Sequence, residues 1–170
     1  MVVKLGKGMN LCFYQTEKLL EVHINGAVRD ILADCVVRNE LNGWRKKHDP
    51  DDVICAITHD RYHKPPVMPR PFPFGDWNVY MPLQRRDKYL APYYIPTDAE
   101  QFLPVWALDE NGGYDHVTAE KVLDLGYGLH FSTSTTTVGC IRIFEEDDLL
   151  WLVKNIKERL TKGEHVKLSV

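Results

Sequence analysis

Short β-prone runs fill most of the chain, and this pattern constrains the fold more than any other feature. Residues 10–38 contain three such runs, rich in Leu, Val, Ile and aromatic residues, and the pair Asn25-Gly26 between two of them is a strong tight-turn signal. A further candidate strand is "VICAIT" at 53–58. The sequence therefore predicts a hairpin or meander that opens a mainly β (α+β), sandwich-like domain.

The segment that follows cannot be a regular strand along most of its length. "KPPVMPRPFPFGDWNVY" (64–80) holds five of the ten prolines, and proline cannot donate a hydrogen bond to a neighbouring strand. We expect an ordered loop that resumes as a strand at "DWNVYMP". The middle, 90–115, mixes aromatic residues with Pro and Gly and is predicted to form loops and short strands.

Helical periodicity is clearest near the C-terminal end, over 145–160, where acidic residues occupy the first turn and basic residues the last. Its apolar positions are Leu149, Leu152, Val153, Ile156 and Leu160. We expect a helix there, followed by a closing strand in "GEHVKLSV". A second, shorter helix is expected over 118–126, with Thr118 as its N-cap and Gly126 as its C-cap.

Length and composition indicate one globular domain spanning 1–170. A chain of 170 residues can bury one full core but not comfortably two. The net charge of -3 offers no broad basic field, so a nucleic-acid partner is disfavoured, and "WRKKHD" and "QRRDK" are interpreted as solvated loops. No window approaches about 18 consecutive apolar residues and no signal peptide is visible, so the chain is expected to be soluble.

The four cysteines divide into two kinds. Cys12, Cys35 and Cys55 lie in apolar, β-prone surroundings and are predicted to pack in the core, because free cysteine behaves as a small hydrophobic residue. Their wide spacing shows no disulfide framework. Cys140 differs, because it follows a glycine at the end of a Ser/Thr run, in "LGYGLHFSTSTTTVGCIRI" (125–143).

That stretch contains the elements of cysteine catalysis. A nucleophilic cysteine needs a base within hydrogen-bond range and donors for the oxyanion that forms when a carbonyl is attacked. If "GLHF" and "CIRI" are neighbouring strands, His130 can face Cys140. A histidine and a cysteine ten residues apart are a weak signal alone, and a buried strand cysteine is the alternative interpretation.

Other residues of the stretch are candidate oxyanion or substrate-binding groups. Gly139 lets the backbone approach a substrate closely, and its amide and the next one are candidate oxyanion donors. The Ser/Thr run, from Ser132 to Thr137, supplies hydroxyls that could orient the imidazole. Tyr127 and Phe131 flank the histidine and are expected to shape the site.

Two further groups have weaker functional interpretations. Cys55, His59 and His63 are spaced four apart, which on a helix would align zinc ligands, but the preceding run favours a strand. Substrate contact and solvated loop histidines are the alternatives. The aromatic residues between 77 and 114 could line a groove, although core and rim packing is the favoured interpretation for each of them. We expect neither a metal nor an organic cofactor.

The run "LHFSTSTTTVGCIRIFEEDDLLWLVKNI", followed by "GEHVKLSV", resembles the C-terminal half of the L,D-transpeptidase catalytic domain. The shared pattern is a histidine after an apolar strand, a Ser/Thr loop, Gly-Cys-Ile-Arg, an acidic helix start and a closing strand. Upstream, "MPRPFPFGDWNVY" resembles the family's proline-rich segment, and the opening hairpin is similar to its first strands. The resemblance covers most of the chain and is weakest over 80–116.

The resemblance implies a role for each matching residue. Cys140 would be the nucleophile, His130 its base, Gly139 part of the oxyanion hole and Arg142 the site arginine. The family attacks peptidoglycan stem peptides before the terminal D-alanine and passes through a thioester. An amine then resolves the thioester as a cross-link, or water resolves it hydrolytically, without a cofactor.

Two departures from the family pattern keep a second hypothesis open. Val138 replaces the second motif histidine, and the loop between histidine and cysteine is short, as in divergent phage-borne or secreted antibacterial members that hydrolyse. Such proteins would reach the periplasm or cell wall by non-standard delivery or after signal removal, with a delivery or immunity partner that the sequence does not identify. The alternative is a non-catalytic wall-binding or structural module of a phage or secretion system.

Overall fold

The computed structural model describes residues 8–32, 72–108, 114–133 and 139–170. The elements, in chain order, are β1 Met9–Tyr14, β2 Leu19–Ile24, β3 Ala27–Leu32, β4 Asp76–Asn78, β5 Leu83–Gln84, β6 Tyr93–Pro96, β7 Gln101–Leu108, β8 Tyr114–Asp124, β9 Gly128–Phe131, β10 Ile141–Ile143, α1 Glu146–Thr161 and β11 Val166–Ser169. They form a five-stranded sheet β3-β2-β1-β11-β4, a four-stranded sheet β10-β9-β6-β5 and the two-stranded hairpin β7-β8. The predicted α+β class is confirmed.

The opening hairpin is confirmed. β1 and β3 both pair antiparallel with β2. Asn25 and Gly26, between β2 and β3, both have positive φ, 52° and 81°. This is the type I′ pattern, whose twist matches that of the flanking strands and which favours the Asn-Gly pair.

One cysteine prediction is wrong. Met9, Leu11 and Phe13 of β1 face the core and are buried, whereas Cys12 is only half-buried. Successive side chains of a strand point to opposite faces, so Cys12 faces away from the core that its neighbours enter. Cys35 and Cys55 lie outside the described residues.

The C-terminal helix and closing strand are confirmed. α1 buries four of its predicted apolar positions, Leu149, Leu152, Val153 and Ile156. Its acidic first turn complements the helix dipole. α1 packs against β6, β9 and β10 of one sheet and β11 of the other. Within the described ranges, α1 is the only helix, and no described helix has the length and apolarity to cross a membrane.

The helix expected over 118–126 is wrong, because residues 118–124 belong to β8. β8 pairs antiparallel with β7 from Gln101↔Asp124 to Leu108↔Tyr114. Its sequence contains Val117, Thr118 and Val122, whose branched side chains suit a strand better than a helix. Pairing with β7 outweighs the weak local capping signals.

The strand expected after the proline-rich segment is confirmed in a short form, as β4. β4 is hydrogen-bonded to Asp98, which lies just beyond the end of β6 in the four-stranded sheet. The amide of Asn78 donates to Asp98 Oδ1 at 2.6 Å, and the amide of Asp98 donates to the Asn78 carbonyl at 3.2 Å. An isolated bridge between Val79 and Thr97 continues this contact. The two larger sheets are therefore tied together where β6 ends.

Candidate active site

The predicted neighbouring strands are present. β9 and β10 pair in parallel, with Leu129↔Ile141, His130↔Arg142 and Phe131↔Ile143 in register. The Ser132 amide extends this ladder by donating to the Ile143 carbonyl at 3.2 Å. The pairing places the segment that carries Cys140 directly beside the segment that carries His130.

Alternation along the strands separates a core face from a site face. Ile95 of β6, Leu129 of β9 and Ile141 of β10 are fully buried in the core that α1 covers. The registered residues between them, Tyr94, His130 and Arg142, form one row on the opposite face of the three strands. Cys140 lies just before β10, two positions before Arg142.

The His130 ring is held in one tautomer. Its Nδ1 lies 2.9 Å from the Phe131 carbonyl oxygen, and a carbonyl can only accept, so Nδ1 carries the proton of the neutral ring. The Nε2 lone pair is then the one that can accept a proton. Burial lowers the pKa of His130, opposed by the Phe131 hydrogen bond and by the charge of Asp87. The ring is therefore neutral, the form a general base requires, at neutral pH.

Cys140 lies in a bend just before β10 and is half-buried. Its Sγ is 3.8 Å from the Gly126 carbonyl oxygen, the geometry of a thiol donor. The same oxygen accepts the hydroxyl of Tyr94 at 2.8 Å. Gly126 belongs to the short connection between β8 and β9, so the thiol lies where three elements meet.

Gly139 has a conformation that suits glycine. Its φ is 130°, a region that L side chains rarely adopt, and the residue is buried. A side chain here would strain the bend that presents Cys140. The role of the Gly139 amide at an oxyanion stays a prediction.

Arg142 lies next to His130 in the register and is 5% exposed. Its guanidinium carbon lies 5.0 Å from the centre of the Phe144 ring, within cation–π range. This burial suits a role in fixing local geometry, and a substrate-binding role for Arg142 stays a prediction.

The remaining sequence candidates are placed differently. Tyr127 is 1% exposed, and its hydroxyl accepts a 2.6 Å hydrogen bond from Gln101. Its ring meets Phe72 edge-on at 5.5 Å. The structure therefore places Tyr127 in the core beneath β9, while Ser132 is half-buried beside β10. Thr137 lies outside the described residues.

Two residues near the site have roles that sequence reasoning missed. Asp87, in the loop between β5 and β6, lies close enough for its charge to favour the protonated form of His130. It was hidden in the charge run interpreted as a solvated loop. Tyr94 was considered only as one of many aromatic residues, and nothing in its sequence context reveals the pairing with His130.

Within the parts of the chain that the structure describes, no three His, Cys, Asp or Glu side chains converge as metal ligands. The candidate set Cys55, His59 and His63 lies outside those parts. What the site offers chemically is a thiol, a neutral imidazole with Nε2 as its acceptor, and a phenol.

Comparison with known proteins gives a match in fold. No protein-family model matches the sequence, and no curated protein matches it. Among solved structures, the chain is similar to an L,D-transpeptidase from Xylanimonas cellulosilytica, with 15% identity and a TM-score of 0.50 over 98% of this chain and 61% of that one. It is also similar to the helical cell shape determining protein Pgp2 from Campylobacter jejuni, with 14% identity and a TM-score of 0.53 over 97% of this chain and 47% of that one. The chain thus shares its α+β fold with both and spans about half to three-fifths of their lengths.

Proposed function

We propose that this chain is a cysteine-dependent acyl transferase or peptidase of the L,D-transpeptidase type that acts on peptidoglycan stem peptides. Cys140 is the nucleophile and His130 its base. The proposal is supported by the fold shared with an L,D-transpeptidase and a cell-shape protein. The observation that carries it is the Nδ1 hydrogen bond of His130, which directs the basic nitrogen of the neutral ring away from the backbone on the strand beside Cys140.

In the first step, Nε2 of His130 takes the thiol proton, and the Cys140 sulfur attacks the carbonyl of the third stem residue. The carbonyl electron pair moves onto oxygen, which the amides beside Gly139 stabilise. The tetrahedral intermediate then collapses as the imidazolium gives its proton to the leaving D-alanine amine. A thioester on Cys140 remains, with the imidazole neutral again.

The second step resolves the thioester. A nucleophile, either an amine of a second stem or water, attacks the acyl carbon while His130 takes its proton. Collapse breaks the carbon–sulfur bond, and the sulfur recovers the proton from the imidazolium. An amine gives a cross-link, and water gives a shortened stem.

The test is D-alanine release from purified tetrapeptide stems. We expect release by the unaltered chain, a covalent adduct on Cys140 by intact mass, and no release by Cys140→Ala. The matched control is Cys12→Ala, because Cys12 lies on the other sheet and its pKa is raised by burial and then by Glu21 and Asp76. Absence of both release and adduct would overturn the proposal.

The second candidate is a non-catalytic wall-binding module. In the sequence it is favoured by Val138, which replaces the second motif histidine, and in the structure it is favoured by the contact of the Cys140 thiol. A thiol that donates to the Gly126 carbonyl is stabilised as the neutral form, which is the unreactive one. This candidate predicts retention on purified cell wall without turnover. It also predicts that Cys140 is alkylated with a midpoint at or above the free-thiol pKa of about 8.5.

A further inference from the structure

The Tyr94 ring occupies a place that only a glycine leaves open. It lies across β9 at Gly128, where an added Cβ would come within 2.5 Å of Cε2 and 2.6 Å of Cζ of the ring, and would also meet the Ile95 carbonyl oxygen. Contacts this short are not seen for real Cβ atoms, so any side chain at 128 would displace both the ring and the β6 backbone at Ile95. Gly128 therefore lets the hydroxyl of Tyr94 cross its neighbouring strand.

The hydroxyl reaches the oxygen that also contacts the nucleophile. Tyr94 donates to the Gly126 carbonyl at 2.8 Å, and the Cys140 sulfur lies 3.8 Å from the same oxygen. The first contact is a short hydrogen bond and the second a long one. Two donors on one carbonyl share its electron density, so the stronger donor weakens the oxygen as an acceptor for the other.

We propose that Tyr94 is a positioning residue for Cys140. Its hydroxyl orients the Gly126 carbonyl and weakens the hydrogen bond that this oxygen accepts from the thiol. This inference deepens the proposed function and rests on Cys140 being its nucleophile. Without the hydroxyl, the carbonyl is a better acceptor for the thiol and can turn toward it. The neutral thiol is then favoured, and proton transfer to His130 becomes harder.

The environment of Tyr94 suits this role. Burial raises the pKa of its hydroxyl, and the nearby Cys140 charge raises it further, against a smaller opposing effect of Arg85. The phenol therefore stays protonated, and remains a donor, at every pH at which the thiol titrates. The Cys140 effect also shows that the thiolate and the phenol lie within electrostatic reach of each other.

The test compares Tyr94→Phe with Tyr93→Phe. Tyr93 is the adjacent residue of β6, and its ring instead lies 4.5 Å from the Lys157 ammonium on α1. The alkylation rate of Cys140 is measured from about pH 5 to 10 with iodoacetamide, by peptide mass mapping that separates Cys140 from the other cysteines. Loss of one neutral hydrogen bond corresponds to about a threefold to tenfold effect. Tyr94→Phe should therefore slow alkylation by that factor below the midpoint and shift the midpoint upward, whereas Tyr93→Phe should follow the unaltered chain.

A second variant removes the same hydroxyl with a different side chain. Tyr94→Leu should shift the profile in the same direction. Gly128→Ala cannot isolate the hydroxyl, because its Cβ would meet the Ile95 carbonyl oxygen of β6 before it meets the ring. The inference is overturned if the Tyr94→Phe profile superimposes on that of the unaltered chain or moves to lower pH. If Tyr94→Phe does not fold, Tyr94→Leu decides by the same criterion.

The alkylation profile needs no stem peptide, so its result is independent of the proposed substrate. With tetrapeptide stems, Tyr94→Phe should lower kcat at pH 7 by the same factor, leave KM unchanged and recover as the pH rises. A structural defect would not recover with pH. Normal alkylation shifts without any D-alanine release would overturn the proposed function and leave the role of Tyr94 standing.

Discussion

The two larger sheets carry the same three reactive residue types, cysteine, histidine and tyrosine, but connect them differently. In the five-stranded sheet a carboxylate organises the group. Glu21 Oε2 accepts the Tyr14 hydroxyl at 3.2 Å and lies 3.0 Å from Nε2 of His23. Because a carboxylate only accepts, Nε2 of His23 carries a proton and cannot act as a base there. Glu21 also faces Cys12 in the register, and its charge disfavours the thiolate.

In the four-stranded sheet, main-chain carbonyls take the place of the carboxylate. The Phe131 oxygen accepts from Nδ1 of His130, and the Gly126 oxygen accepts from Tyr94 and Cys140. A carbonyl fixes a donor without adding a full negative charge beside the thiol. Residue types alone therefore do not make a nucleophile. What matters is which imidazole nitrogen is left as the acceptor and which charge lies beside the sulfur.

Substitution of the histidines should separate the two sheets by the largest effect. His130→Gln should lower kcat for D-alanine release by about 10²- to 10⁴-fold, because general base catalysis contributes that range. His23→Gln, the matched change in the other sheet, should leave the rate unchanged. Equal losses in the two variants, measured by steady-state kinetics, would show that His130 is no more important to the reaction than His23.

The next effect compares the two thiols directly. At pH 7, Cys140 should be alkylated faster than Cys12, because only the thiolate reacts and the charge of Glu21 disfavours the Cys12 thiolate. The pKa of Cys12 is raised above its ordinary value of 9.0 by burial and by Glu21 and Asp76. Mass mapping of both peptides in one sample checks the ratio, and equal rates would contradict it.

The sequence predicts those parts of the arrangement that depend on local residue patterns. It does not predict those that depend on contacts between distant segments. The turn at Asn25-Gly26 and the apolar stripe of α1 are local signals, and both predictions are confirmed. The segment 118–126 also carries local helix signals, yet residues 118–124 belong to a strand because β7 pairs with it. That pairing is a long-range contact, and no local pattern of capping residues reports it.

The candidate site shows the same division. His130 and Cys140 could be selected from the sequence because each belongs to a motif within one short stretch. Tyr94 could not, because it joins them only through the register of β6 with β9 and through the space above Gly128. Nearness in sequence predicts Tyr127 at the site, but its ring packs against Phe72 in the core and is 1% exposed.

A smaller effect is expected from changing the backbone conformation at Gly139. Gly139→Ala should cost about 1–3 kcal/mol of unfolding free energy, the usual penalty for a side chain in a sparsely populated region of positive φ. It should also lower D-alanine release, because the bend that presents Cys140 would shift. Gly163→Ala is the matched control, since Gly163 also has positive φ, 75°, with open space around it and a position just beyond α1. A similar loss of stability with full activity is expected there, measured by urea unfolding and kinetics.

The smallest effect concerns how stability depends on pH. The pKa of His130 in the folded chain is lowered, mainly by burial, from its ordinary value of 6.5. Between those two pKa values the unfolded chain binds a proton that the folded chain does not. Stability contributed by the neutral ring is therefore present above pH 6.5 and is lost as the pH falls through the lowered pKa.

His130→Gln should remove this contribution, so that the variant loses less stability than the unaltered chain between pH 7 and pH 5. The difference in slope cannot exceed about 1.4 kcal/mol per pH unit, the limit for one proton. Urea unfolding at a series of pH values measures it, and the remaining histidines cancel because both chains contain them. Parallel curves would show that the ring titrates alike in both states. Burial would then not explain why the His130 ring stays neutral, with its Nε2 lone pair available, at mildly acidic pH.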